Sequence, residues 1–203
     1  MNKLNKLNLN KPKLSDGIPS TDSVKVWGDH IYFYGDVNEK SAMDLNIALQ
    51  HLSMELSTNM LSTMHEVNSP QPIWLHINSY GGSLFAGYAV SDTILRIREM
   101  VPVVTIIEGT AMSAATIIST SGSKRLMRSK SVMLIHQLSS FMGGKYEEMR
   151  EEIKNMDLAM KILNDHYLQH TKIKKEKLDE MLKKDTYLDA KTCQKLGLID
   201  QII

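Results

Sequence analysis

The chain has 203 residues, 42% of them hydrophobic and 23% charged, with a formal net charge of +1. That balance suits one globular domain with a substantial core and offers no global charge to attract nucleic acid or an anionic membrane. The single cysteine, Cys193, cannot form an intramolecular disulfide, no apolar run reaches membrane-spanning length, and the basic N-terminus lacks the apolar stretch of a signal peptide. The expected location is cytoplasmic.

Residues 1–22 read as a flexible tail, rich in Asn and Lys and broken by Pro12 and Pro19. A domain over 23–203 follows. It begins with two short strands around Gly28, within Val24 to Gly35. Asp36 or Asn38 can then cap a helix whose Leu45, Leu49, Leu52 and Leu56 recur at helical spacing. Beyond it, up to Pro70, periodicity does not decide between more helix and a surface loop. Ile73 to Asn78 is a buried-strand candidate. The glycine turn SYGGS and a helix over about 84–98 follow, with Val90, Ile94 and Ile97 as a core stripe.

The same unit then repeats. VPVVTIIE (101–108) is a β-branched strand, GTAMSAATIISTSG (109–122) turns into a helix, and Ser113 stands at the junction. Two successive strand–turn–helix units imply an α/β fold. Lys124 to Arg128 reads as a basic connection, and SVMLI (131–135) as a strand ended by His136. Gly143 and Gly144 precede a long helix over 145–170, roughly 40 Å by its rise per residue. Its Met149, Ile153, Met156, Met160, Leu163 and Tyr167 alternate at steps of four and three, a seam that can reach beyond a single core. Within it, His166 and His170 have zinc-compatible spacing, but no third ligand is evident and no metal is expected. Lys172 to Lys184 reads as a charged helix. Asp189 caps a last helix stopped by Gly197, and LIDQII closes the chain as a strand.

A serine in a strand-to-helix turn is often an N-cap, and a histidine on a core strand is often a satisfied structural residue. Together with an acid they can form a hydrolytic triad: the serine needs a base, histidine supplies one near neutral pH, and the acid fixes its tautomer. Spacing leaves the acid open among Asp165, Asp179, Asp185, Asp189 and Asp200.

Four segments in order resemble the Clp protease proteolytic subunit (ClpP) family. HINSYGGSLFAGYAVSDTI is similar to its INSPGGSVxAGxAIYDTM, and GTAMSAATIISTSGSKR to its GxAASMGxxLLxAGxKGKR. SVMLIHQ is similar to RVMIHQP, and DTYLDAKTCQKLGLIDQI to DxFLxAxEAxxYGLIDxI. The resemblance implies a ClpP/crotonase-type fold of repeated ββα units with a protruding handle over about 139–170. It implies a serine endopeptidase with Ser113 as nucleophile, His136 as base and Asp185 as acid. The backbone N–H groups of Gly82 and Ala114 would form the oxyanion hole, with Gly81 shaping the turn. It further implies heptameric or tetradecameric self-assembly, peptide or unfolded-protein substrates, and an AAA+ unfoldase partner that alone uses ATP, so no cofactor is expected here. Tyr80, Ala114 and Leu138 depart from the family pattern, and 57–71 resembles an insertion. At Ala114, where the family carries methionine, only the amide is expected to matter. The alternatives are a catalytically silent ring subunit and an acyl-CoA enzyme of the crotonase fold.

Overall fold

The computed structural model describes residues 21–62, 71–140 and 143–203. The expected tail lies almost entirely outside the described residues. So does the larger part of the 57–71 segment, whose first residues continue a helix.

Strands β1 (Val24–Trp27) and β2 (His30–Tyr34) pair antiparallel. Helix α1 (Glu39–Ser62) starts from a reciprocal cap: Ser41 N–H donates to Asn38 Oδ1 at 2.9 Å, and Asn38 N–H donates to Ser41 Oγ at 3.0 Å. Asn38, not Asp36, is therefore the cap. Leu45, Leu49, Leu52 and Leu56 are all buried, as their spacing requires. Each buried leucine contributes about 1.5–3 kcal/mol relative to exposure.

Strand β3 (Ile73–Ser79) leads through the glycine turn to α2 (Leu84–Ile97). Strand β4 (Val103–Met112) leads through Ser113 to α3 (Ala114–Thr120). Strand β5 (Lys124–Met127) occupies the segment expected to be a basic connection: its backbone pairs with β4 while Lys124 points to solvent. Strand β6 (Val132–Leu134), helices α4 (Tyr146–His170) and α5 (Lys175–Met181), strand β7 (Leu188–Asp189), helix α6 (Ala190–Leu196) and strand β8 (Gln201–Ile202) complete the chain. Asp189 caps α6 through Thr192 N–H at 2.8 Å, and Gly197 ends it in a left-handed conformation.

The main sheet runs β1-β2-β3-β4-β5-β8, parallel except for β1. β4 is longer than its hydrophobic run implied, and it serves two partners. Val104 to Ile107 pair with β5, whereas Thr110 to Met112 pair with β6. Its C-terminal end is thereby placed beside the C-terminal end of β6. In open α/β sheets, that end of parallel strands is where ligands bind.

The main core cluster runs from Val24 to Ile199, and Val104, Ile106 and Leu126 form a smaller second one. Helix α4 enters it only through its second half, where Ala159, Leu163, His166 and Tyr167 are buried. Its first half has no core behind it, and Tyr146, Ile153, Leu158 and Ile162 stand exposed along the helix. Of the expected seam, only Leu163 and Tyr167 are fully buried. Among the described residues, no helix is long and apolar enough to cross a membrane.

Candidate active site

Ser113 has φ 51° and ψ −126°, and among the described residues it is the one non-glycine with positive φ. Such a conformation costs about 1–3 kcal/mol and persists only where the surroundings enforce it. The enforcement is visible. Ser113 N–H donates to Leu134 O at 2.9 Å, extending the β4–β6 ladder by one bond. Thr116 N–H donates to Ser113 O at 2.9 Å, starting α3. The chain therefore passes from strand to helix in a single residue. The serine side chain makes no capping hydrogen bond, so the ordinary reason for a serine in this turn does not apply.

His136 lies two residues beyond β6, next to Ser113 because β6 and the end of β4 are parallel neighbours. Its Nδ1 is 3.5 Å from Asp185 Oδ1. The antiparallel pairing of β7 with β6 brings that acid in: Val132 pairs with Asp189 and Met133 with Leu188. Continuing the register three residues places Asp185 opposite His136. Gln137 N–H, donating to Leu182 O at 2.8 Å, ties the two segments together just past that point.

Of the other acids that spacing left open, three are engaged elsewhere and one is exposed on a helix. Asp200 accepts from Arg125, and despite partial burial those hydrogen bonds hold its carboxyl below the usual range. Asp179 pairs with Lys175 at 3.3 Å. Asp189 caps α6, and the hydrogen bonds from Thr192 lower its pKa. Asp165 sits on an exposed position of α4.

Gly81 and Gly82 face Ser113 for a steric reason. A Cβ on Gly81 (φ +95°) would lie 2.5 Å from Met112 O and 2.7 Å from Ser113 Cβ. A Cβ on Gly82 (φ +142°) would lie 2.2 Å from Val37 O. The turn is therefore packed between the nucleophile-like elbow on one side and Val37 on the other; its glycines permit close backbone approach. Val37 donates to Gly81 O at 2.8 Å and accepts from Ser83 N–H at 2.7 Å. In this alternation the Gly82 N–H points away from Val37. Ser79 Oγ, accepting from Gly81 N–H at 3.1 Å, braces the same turn.

Ala114 N–H, at the first position of α3, has no intrahelical acceptor. Its side chain lies at the α2–α3 contact. It is buried, and α2 approaches so closely at Gly87 that an added Cβ there would lie 3.3 Å from Ala114 Cβ.

Gly82, Ser113, Ala114 and His136 line a single cleft of about 310 Å³, whose apolar lining includes Ile117, Leu138, Met156, Ala159 and Leu163. Two of the family departures can be placed around it. Tyr80 projects into solvent. Leu138 provides an N–H that a proline would lack, and it donates to Met160 Sδ on α4 at 3.4 Å.

The chemistry available is nucleophilic. A hydroxyl on a strained elbow shares a cleft with an imidazole whose Nδ1 faces a carboxylate, and two backbone amides are free to receive a developing oxyanion. His166 and His170 take another role. His166 is buried behind α3, where burial and then the neighbouring His170 push its pKa down to about 3, and its Nε2 lies 2.8 Å from Thr120 Oγ1. Among the described residues, no group of three or more His, Cys, Asp or Glu side chains is arranged to hold a metal ion. Two residues of the site went unnoticed in the sequence, Thr116 and Tyr167, whose hydroxyls stand 2.6 Å apart beneath Ser113. Tyr167 was legible only as a core position, and Thr116 only as a helix residue three places after the serine.

The chain is 34% identical over 138 residues to a Deinococcus radiodurans protein described as an ATP-dependent Clp protease proteolytic subunit, covering 67% of each chain. The Clp protease family matches residues 28–203, a span that contains the glycine turn, the Ser113 elbow, His136 and Asp185. Matched from the turn of its first hairpin to its last strand, the chain belongs to the Clp protease family.

Proposed function

We propose that this protein is a serine endopeptidase that hydrolyses unfolded polypeptides, with Ser113, His136 and Asp185 as its triad. The observation that carries the reading is the strained backbone of Ser113 beside His136, whose Nδ1 is directed at Asp185. With Nδ1–H held by the carboxylate, Nε2 is the nitrogen left to act as base. It takes the Ser113 proton as Oγ attacks the peptide carbonyl. The N–H groups of Gly82 and Ala114 receive the oxyanion, and the proton passes to the departing amine as the C–N bond breaks. Water, activated by the same histidine, then releases the acyl group. The apolar wall of the cleft accommodates a nonpolar side chain. No cofactor takes part in these steps.

In this reading the fold is of the ClpP/crotonase type and α4 is the handle. Its exposed Ile153 and Leu158 support burial against further copies in heptameric or tetradecameric assemblies. An AAA+ unfoldase supplies substrate and consumes ATP. Native mass spectrometry combined with fluorophosphonate labelling tests the proposal. Seven- or fourteen-subunit species with the label on Ser113 are expected; a monomer at working concentration, or a label elsewhere, contradicts it.

Asp185 has a side chain 77% exposed and stands 3.5 Å from the imidazole, longer than a tight hydrogen bond. Its loss should therefore cost less than the roughly 10⁴-fold seen when a buried triad acid is neutralised. Asp185→Asn is expected to lower kcat/KM for a fluorogenic peptide by about 10²-fold. An unchanged kcat/KM would remove Asp185 from the triad.

A further inference from the structure

Thr116 is fully buried in the first turn of α3, and its Oγ1 donates to the Ser113 carbonyl at 2.6 Å. The same Oγ1 lies 2.6 Å from the phenol oxygen of Tyr167, on the buried half of α4. A threonine hydroxyl carries one proton. With that proton committed to the Ser113 carbonyl, the Tyr167 hydroxyl must be the donor to Thr116. Burial raises the Tyr167 pKa, so the phenol keeps its proton throughout the working range. A directed chain results, from Tyr167 O–H to Thr116 O–H to Ser113 C=O.

The carbonyl at the end of this chain belongs to the same peptide group as the Ala114 N–H. That group is planar and trans, so its C=O and N–H point in opposite directions. Fixing the carbonyl on the buried side aims the amide toward the cleft. Successive hydrogen bonds also polarise one another, by about 10–30% per bond, and a polarised carbonyl makes its amide a better donor. The carbonyl receives two donors, Thr116 N–H and Thr116 O–H, at the residue whose backbone is otherwise unfavourable.

We propose that Thr116 and Tyr167 are positioning residues that hold the Ser113–Ala114 peptide group as an oxyanion donor, linking the reactivity of Ser113 to the seating of α4 on α3. The inference rests on Ser113 being the nucleophile. It gives α4 two roles, since its buried end sets the elbow while its exposed half is left to meet partners.

The test uses the full chain, with steady-state cleavage of a fluorogenic peptide and the rate of fluorophosphonate labelling followed by intact mass. Removing an oxyanion donor outright costs about 10²–10³-fold, so loosening one is expected to cost about tenfold. Thr116→Val should lower kcat and the labelling rate by about that factor with KM little changed, and Tyr167→Phe by somewhat less. Thr116→Ser, which keeps the hydroxyl, should recover most of the rate. The double variant Thr116→Val with Tyr167→Phe should be no slower than Thr116→Val alone, because Tyr167 acts through Thr116. Wild-type kcat in Thr116→Val, equal losses in its Val and Ser variants, or multiplying losses in the double variant would overturn the relay. If Thr116→Val does not fold, Tyr167→Phe against Thr116→Ser decides by the same kcat readout. Wild-type protein that labels at Ser113 while Thr116→Val labels equally fast defeats the relay alone; wild-type protein that never labels there defeats the nucleophile assignment.

Discussion

Ser113→Ala is expected to reduce peptide cleavage to background, a loss of roughly 10⁵- to 10⁶-fold, and to abolish fluorophosphonate labelling, with folding unchanged. The substitution removes only Oγ, and that oxygen makes no capping hydrogen bond in α3, so folding loses little. A glycine at the same position separates the backbone from the chemistry. Ser113→Gly relieves a conformation at φ 51° that any side chain resists, and it should raise stability by about 1 kcal/mol or more while remaining equally inactive. A residue kept in a strained conformation whose relief stabilises the protein is serving activity. Peptide hydrolysis retained by Ser113→Ala would contradict the nucleophile assignment, and a Ser113→Gly variant with a lower Tm would contradict the strain.

Gly81→Ala has the second largest expected effect, and it acts through geometry. The new Cβ would meet Met112 O at 2.5 Å and Ser113 Cβ at 2.7 Å, and the backbone there has φ +95°. Both obstacles are backbone or the elbow itself, so no flexible side-chain end can move aside. The combined strain and overpacking should cost about 3 kcal/mol or more and displace the Ser113 elbow, so labelling fails even in molecules that remain folded. The adjacent Tyr80→Ala is the control. Its ring is 73% exposed, and its removal should change stability by no more than about 0.5 kcal/mol. Denaturant unfolding and labelling rate read both variants. A Gly81→Ala protein with wild-type midpoint and labelling would show that the turn does not pack on the elbow as described.

Much of the fold was legible in the residues. The leucines of α1 and the Val90, Ile94, Ile97 stripe of α2 are buried where their periodicity put them, and Asp189 and Gly197 bound α6 through a cap and a left-handed stop. The errors have a common source. Lys124 to Met127 looked like a connection because its side chains are basic, but pairing in a sheet is made by backbone groups, which charge at the edge of a strand does not forbid. β4 runs on to Met112 because a second strand, β6, takes over its pairing after Gly109, and no local pattern announces a change of partner.

The candidate site divides in the same way. The residues themselves singled out Ser113 and His136, and the family resemblance singled out Gly82, Ala114 and Asp185, the last where composition and spacing left five acids equal. The β6–β7 register sets Asp185 opposite His136, while Arg125, Lys175 and Thr192 engage three of its rivals. The sequence by itself determined most of the helices and strands, which faces are apolar and which reactive side chains stand at element ends, because propensity and periodicity act over a few residues. The tertiary structure alone decided the backbone conformation of Ser113, the reason two glycines face it, the register that sets Asp185 beside His136, and the Tyr167–Thr116–Ser113 chain. Each of these depends on groups far apart in the chain, up to 51 residues between Thr116 and Tyr167, brought within hydrogen-bonding or van der Waals distance only by the packing of whole elements.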